Sequence, residues 1–226
     1  MMIQKITKRR FYFICGAVLI VSFLILGIGV NLNAGWLEAF DNFGDQVLRL
    51  SITDFNTSFF KIITSFGSIG LIVMVTAVVS GVLWLSKEKN AAIWLSGTVM
   101  VCGGAIPYLF KLIFRRERPM FKLIPETGFS FPSGHASSST VLYGALIVLA
   151  LLFIKKTWKK YLTVSLAAVL VMMIICSRVY LGVHYPSDVI GGLLLGSGQV
   201  LIATGIYLSY QSLKAKQNEE EDKNDE

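Results

Sequence analysis

The chain has 226 residues, of which 54% are hydrophobic and 15% charged, whereas an ordinary soluble domain carries about 25% charged residues. That shortfall excludes a typical soluble protein and puts most of the chain in a membrane. The formal net charge is +7, but the basic residues lie in short blocks between apolar runs, a pattern that sets membrane orientation and leaves no basic domain to bind nucleic acid.

Six apolar runs follow in chain order: residues 11–30, 62–85, 91–110, 136–154, 161–177 and 189–213. A spanning helix needs about 20 apolar residues, so the fifth run is the shortest candidate. Lys159 and Lys160 before it and Arg178 after it still suit a crossing. The first run is longer than a signal-peptide core and no clear cleavage site follows it, so it reads as a retained anchor. Between the first two runs, Trp36, Phe40, Phe43, Val47 and Leu50 recur at helical spacing, with Glu38, Asp41, Asp45 and Arg49 between them. This predicts an amphipathic helix on the outer surface, either a linker packed on the bundle or a lip guiding lipid. In the sixth run, Gly192 and Gly196 predict close helix packing, within the chain or between chains. The three cysteines, Cys15, Cys102 and Cys176, all lie in apolar runs and read as small buried hydrophobes. Residues 217–226 are almost wholly polar and are expected to be a disordered cytoplasmic tail. The expected architecture is all-α: a six-transmembrane-helix bundle forming one domain over residues 1–216, with both termini cytoplasmic.

If all six runs span, the blocks Lys5–Arg10, Lys87/Lys89, Lys155/Lys156/Lys159/Lys160 and Lys214/Lys216 share one side, which is then cytoplasmic. The opposite side carries Arg49, Lys61, Lys111, Arg115, Arg116, Arg118, Lys122 and Arg178. Cations held there against the orientation rule call for an anionic ligand.

Three short motifs fall at that outer end. Lys111-x6-Arg118-Pro119 leaves the third run, Pro132-Ser133-Gly134-His135 opens the fourth, and Ser177-Arg178-x5-His184-x3-Asp188 joins the fifth to the sixth. Arginine offers a planar fork to phosphate oxygens, and lysine adds a point charge. Ser133-Gly134 precedes a helix start, where free amides and the positive dipole end favour an anion. Asp188 sits four residues after His184, with Pro186 placed to open the last helix. Its carboxylate either complements the helix dipole or accepts a hydrogen bond from one ring nitrogen of His184, leaving the other free to attack. Arg115, Arg116 and Lys122 are expected only to snorkel toward lipid headgroups.

Together these motifs resemble the signature of the type-2 phosphatidic acid phosphatase superfamily, matched at all eleven fixed positions. Within it, the short single-domain form looks most like bacterial phosphatidylglycerophosphatase B-type enzymes. The resemblance implies a multi-pass cell-membrane enzyme with its site on the extracytoplasmic side. It implies His184 as a nucleophile forming a phosphohistidine, Asp188 as its orienting partner, and His135 as acid and then base. Lys111, Arg118, Arg178, Ser133 and Gly134 would hold the phosphoryl oxygens, and Ser177 would have a supporting role. Candidate substrates are phosphatidylglycerol phosphate, undecaprenyl diphosphate, phosphatidic acid and diacylglycerol diphosphate. No aspartate cluster is available for magnesium, so no metal or other cofactor is expected. The expected partners are the bilayer and a lipid phosphate, with no obligate protein partner. A lipid phosphotransferase, or a lipid-binding or transport protein without catalysis, would be the alternatives.

Overall fold

The computed structural model describes residues 2–224, and side chains from residue 9 to residue 221. It is all-helical among those residues: α1 (Met2–Asn31), α2 (Gly35–Leu48), α3 (Asp54–Ser65), α4 (Ile69–Leu85), α5 (Lys89–Thr98), a π-helical segment (Val99–Ala105), α6 (Ile106–Phe114), α7 (Gly134–Phe153), α8 (Thr157–Tyr180) and α9 (Pro186–Asn224). Five stretches are long and apolar enough to cross a bilayer: Arg9–Asn31, Lys89–Phe114, Gly134–Phe153, Thr157–Tyr180 and Pro186–Glu221. The bent pair α3 and α4 makes a sixth if it counts as one span.

That pair departs from the expected uninterrupted run over residues 62–85. The helix axis bends by 41° between Ser65 and Ile69. Ser68 caps the start of α4 by accepting from the Leu71 amide. At the break, a Cβ on Gly67 would lie 2.7 Å from Ser139 Oγ and 2.9 Å from Ile174 Cγ2. Only glycine lets the backbone approach α7 and α8 so closely. The same hypothetical atom would be 3.3 Å from His135 Cδ2, so the break sits beside a predicted site residue.

α7 is the central helix, buried along much of its length and packed by α8, α9 and the π-helical segment. Gly192 and Gly196 make the α7–α9 contact close. A Cβ on Gly192 would meet Ala136 Cβ at 2.7 Å, and one on Gly196 would meet Thr140 Cβ at 2.9 Å. The predicted small-residue face therefore packs within the chain. On the outside, Val73, Val78, Val82, Ile93, Val169 and Ile206 are exposed, as helices facing lipid require.

α2 is amphipathic, but its apolar stripe points away from the bundle. Trp36, Phe40, Phe43 and Val47 are exposed, while Leu37 and Asp41 are buried. The helix docks through its narrow inner face and offers its aromatic face outward. α9 continues as helix through Asn224, across much of the segment expected as a disordered tail; Asp225 and Glu226 lie outside the described residues.

Candidate active site

Alternation of the helices brings the end of α6, the start of α7, the end of α8 and the start of α9 to one level. Backbone hydrogen bonds then stitch the connecting segments together. Ser133 N–H donates to Asp188 O at 3.0 Å, Leu123 N–H to Leu181 O at 2.9 Å, and Ser130 N–H to Arg116 O at 2.8 Å. All three predicted motifs meet here.

His184 is buried in the turn between α8 and α9. Its Nδ1 lies 3.3 Å from Asp188 Oδ2. Its Nε2 lies 3.1 Å from Arg118 Nη1. A guanidinium nitrogen can only donate, so Nε2 carries the lone pair and Nδ1 the proton. The carboxylate and the guanidinium thus fix one tautomer between them. Burial depresses the His184 pKa to about 3 even though the hydrogen bond and charge of Asp188 work the other way. The ring is neutral at neutral pH.

Asp188 is fully buried and its two oxygens are richly partnered. Oδ2 accepts from Tyr185 N–H at 2.9 Å and from the Ser130 hydroxyl, besides facing His184. Oδ1 accepts from Arg116 Nη1 at 2.7 Å. Arg116 also donates to Asp41 Oδ2 and Ser187 Oγ, each at 2.7 Å, and its guanidinium lies over the Tyr185 ring at 4.1 Å. Burial opposes the Arg116 charge, but Asp188 and Asp41 outweigh it and raise its pKa above the ordinary arginine value.

Arg116 is a correction to the sequence reading. It does not snorkel to headgroups; it bridges Asp41 of α2 to Asp188. Arg115, in a left-handed conformation with φ 46°, ends α6 and turns the chain so that the next residue points inward. Arg115 itself donates to Leu112 O, and Lys122 to Glu126 O at 3.3 Å. Sequence reasoning also missed Ser130, Asp41, Ser187 and Glu126. The signals were slight: a serine close before the Pro-Ser-Gly-His motif, and an acidic residue opposite the α2 apolar stripe.

The predicted anion-holding residues surround the histidine. Lys111 Nζ donates to Phe129 O at 2.6 Å and Ser130 O at 3.2 Å. Arg118 Nη1 donates to Val183 O at 2.7 Å, and its Nε to Gly128 O at 2.9 Å. Arg178 is buried; its Nη1 donates to Thr64 Oγ1 at 2.9 Å and its Nη2 to Glu126 Oε2. Its Nε has no hydrogen-bond partner among the described residues. Ser133 caps α7 through the Ala136 amide. The amides of Gly134 and His135, first in that helix, have no carbonyl partner among the described residues. Ser177 turns its hydroxyl back to Ile174 O at 2.6 Å.

A cavity of about 810 Å³ opens onto this cluster, with Lys111, Arg118, Gly134, His135 and His184 in its wall. Its remaining wall is largely apolar, with Ile69, Ile72, Val73, Val99, Met100 and Pro107 from α4, the π-helical segment and α6. The arrangement is a polar, cationic end joined to an apolar channel, which suits a ligand of the same two-part chemistry. The predicted site residues are thus gathered at one place, with His184 and Asp188 in contact and His135 in the wall of the same cavity as His184.

Comparison with known proteins points to one family. The family model of the PAP2 superfamily matches residues 92–213. Phosphatidylglycerophosphatase B of Bacillus subtilis is 28% identical over 185 residues, covering 79% of this chain and 87% of that protein. An undecaprenyl-diphosphatase of Sulfolobus acidocaldarius is 30% identical over 198 residues, covering 84% and 88%. The crystal structure of a transmembrane PAP2-type phosphatidylglycerolphosphate phosphatase from Bacillus subtilis superposes with a TM-score of 0.75 at 23% identity, covering 84% of this chain and 94% of that one. With its motifs gathered at one end of a multi-pass helical bundle, the chain belongs to the PAP2 superfamily.

Proposed function

We propose that this membrane lipid phosphatase cleaves phosphate monoester or diphosphate groups of lipids through a phosphohistidine on His184, at the extracytoplasmic face. The observation that carries the reading is the fixed tautomer of a neutral His184, whose Nε2 lone pair meets the guanidinium of Arg118 at 3.1 Å. In the reaction Arg118 passes its hydrogen bond from Nε2 to a phosphoryl oxygen. Nε2 then attacks phosphorus as the bond to the lipid oxygen breaks, and His135, which takes up a proton when the anionic phosphoryl group binds beside it, gives that proton to the lipid oxygen. Asp188 stabilises the positive charge that forms on the His184 ring. His135, now neutral, takes a proton from water, and the oxygen of that water attacks phosphorus as the P–N bond breaks. Lys111, Arg118, Arg178 and the Ser133-Gly134 turn, through the free amides of Gly134 and His135, hold the phosphoryl oxygens, whose charge is the main thing catalysis must stabilise in phosphoryl transfer.

The channel takes the lipid chain. Its apolar wall does not by itself separate phosphatidylglycerol phosphate, phosphatidic acid, diacylglycerol diphosphate and undecaprenyl diphosphate, and the relatives' names span both monoester and diphosphate substrates. The test is phosphate release from these four lipids by the purified protein in detergent containing EDTA, together with acid-labile, base-stable phosphoenzyme from phosphate-labelled substrate. Turnover in EDTA and a label lost in His184→Ala are expected. Full turnover by His184→Ala would end the mechanism.

A further inference from the structure

The anion cradle is engaged by a carboxylate of the chain itself. Glu126, in the segment between α6 and α7, pairs with Arg178 through Oε2 and lies 3.7 Å from Arg118 Nη2 through Oε1. These are two of the three cations assigned above to the phosphoryl group. Glu126 is the one carboxylate in the cavity wall among the described residues, alongside His135, His184 and Lys111. Arg178 itself is absent from that wall, so the carboxylate lines the cavity while the guanidinium it binds does not. The Glu126 side chain is 27% exposed against 1% for Arg178, so it is the partner free to leave. Burial works against its charge, but Arg178 and then Arg118 outweigh it and hold its carboxyl below the ordinary range.

We propose that Glu126 is a built-in competitor that occupies the phosphate seat in the resting enzyme and must swing out for the phosphoryl group to enter. The inference rests on the phosphate-site reading of the preceding subsection. Two oxygens of a carboxylate against two guanidiniums present the same charge-assisted contacts as two phosphoryl oxygens. A phosphoryl group and the carboxylate cannot share Arg178 without like-charge repulsion in a buried site. Binding is therefore an exchange, and measured anion affinity is lowered by the fraction of protein in which the seat is free. The exchange also keeps three cations from facing one another unneutralised between turnovers.

The experiment uses the full chain in detergent, with phosphatidic acid as substrate and orthovanadate as the probe anion. Glu126→Gln keeps the shape and removes the charge. It is expected to lower the vanadate inhibition constant about threefold to tenfold, because the seat stands open more of the time. Glu126→Asp keeps the charge but shortens its reach, and should fall between Glu126→Gln and the wild type. A constant that is unchanged or raised in both variants would overturn the inference, and would make Glu126 a residue that positions the arginines. Failure of vanadate to inhibit the wild type at any concentration would instead overturn the phosphate-site reading, and this inference with it.

Discussion

At the scale of single residues, the site depends on where the charge of Asp188 is balanced. The sequence motif supplies His184 and Asp188 but no cation to offset a buried carboxylate whose partner ring is neutral. Arg116 fills that place, and Asp41 holds Arg116 from the far side. Breaking a buried pair by removing one partner typically costs about 3–5 kcal/mol, and the partly exposed guanidinium here argues for the low end. Arg116→Met should therefore lower stability by about 3 kcal/mol, read as a loss of melting temperature in detergent. Arg116 is not in the cavity wall, so kcat should fall far more than KM rises. Asp41→Asn should damage the same network. The double variant should lose less than the sum of the two, because both act through one arginine. Additive losses, or a KM effect alone, would show that Arg116 does not act through Asp188. The motif residues were legible because their chemistry and order are distinctive. Arg116 was not, because it adjoins Arg115, and only the left-handed turn at Arg115 decides which of the two points inward.

At the scale of helices, two glycine positions hold the site together. Gly67 lets the break between α3 and α4 press against α7 and α8 beside His135, and Gly192 sets the start of α9 against the start of α7. The second contact fixes the distance between the Ser133-Gly134 turn and Asp188, whose carbonyl accepts from Ser133 N–H. A Cβ at Gly192 would fall 2.9 Å from Ser133 O, so Gly192→Val must push the two helices apart. Overpacking of this kind costs about 1–3 kcal/mol, and the displaced helix start should cost activity as well. Gly97→Ala is the control, since a Cβ there meets nothing within 4 Å; melting temperature and turnover should both survive it. Equal tolerance of Gly192→Val would contradict the close-packing account. The sixth run announced its packing face through its small-residue spacing. The break in the second run was harder to read, because Thr64, Ser65, Gly67 and Ser68 are small and uncharged and pass within a hydrophobic run, and the reason for the bend lies on other helices. α2 was read correctly as amphipathic. Its outward apolar face follows from Asp41, which must turn inward to reach Arg116 and Ser187.

At the scale of the whole molecule, the bilayer is the solvent, and orientation decides which pool of lipid headgroups meets the site. The helix order puts Lys111, Arg118, His135, Arg178 and His184 at one end. The turn between α7 and α8, with Lys155, Lys156, Lys159 and Lys160 around it, lies at the other. Basic blocks are retained on the cytoplasmic side, which supports the proposed extracytoplasmic site. The cations at the site end break that rule locally, and their hydrogen bonds to backbone carbonyls, Asp188, Asp41 and Glu126 explain how they are held there. Two single cysteines, placed in a background with Cys15, Cys102 and Cys176 replaced, test the orientation. Lys122→Cys lies in the exposed segment between α6 and α7, and Lys156→Cys in the exposed turn before α8. In intact cells an impermeant thiol reagent should label Lys122→Cys at once, and Lys156→Cys only after permeabilisation. The reverse pattern would put the catalytic end in the cytoplasm and make the basic turn an exception to the orientation rule. Labelling of both positions in intact cells would mean that α7, the one helix between them, does not span.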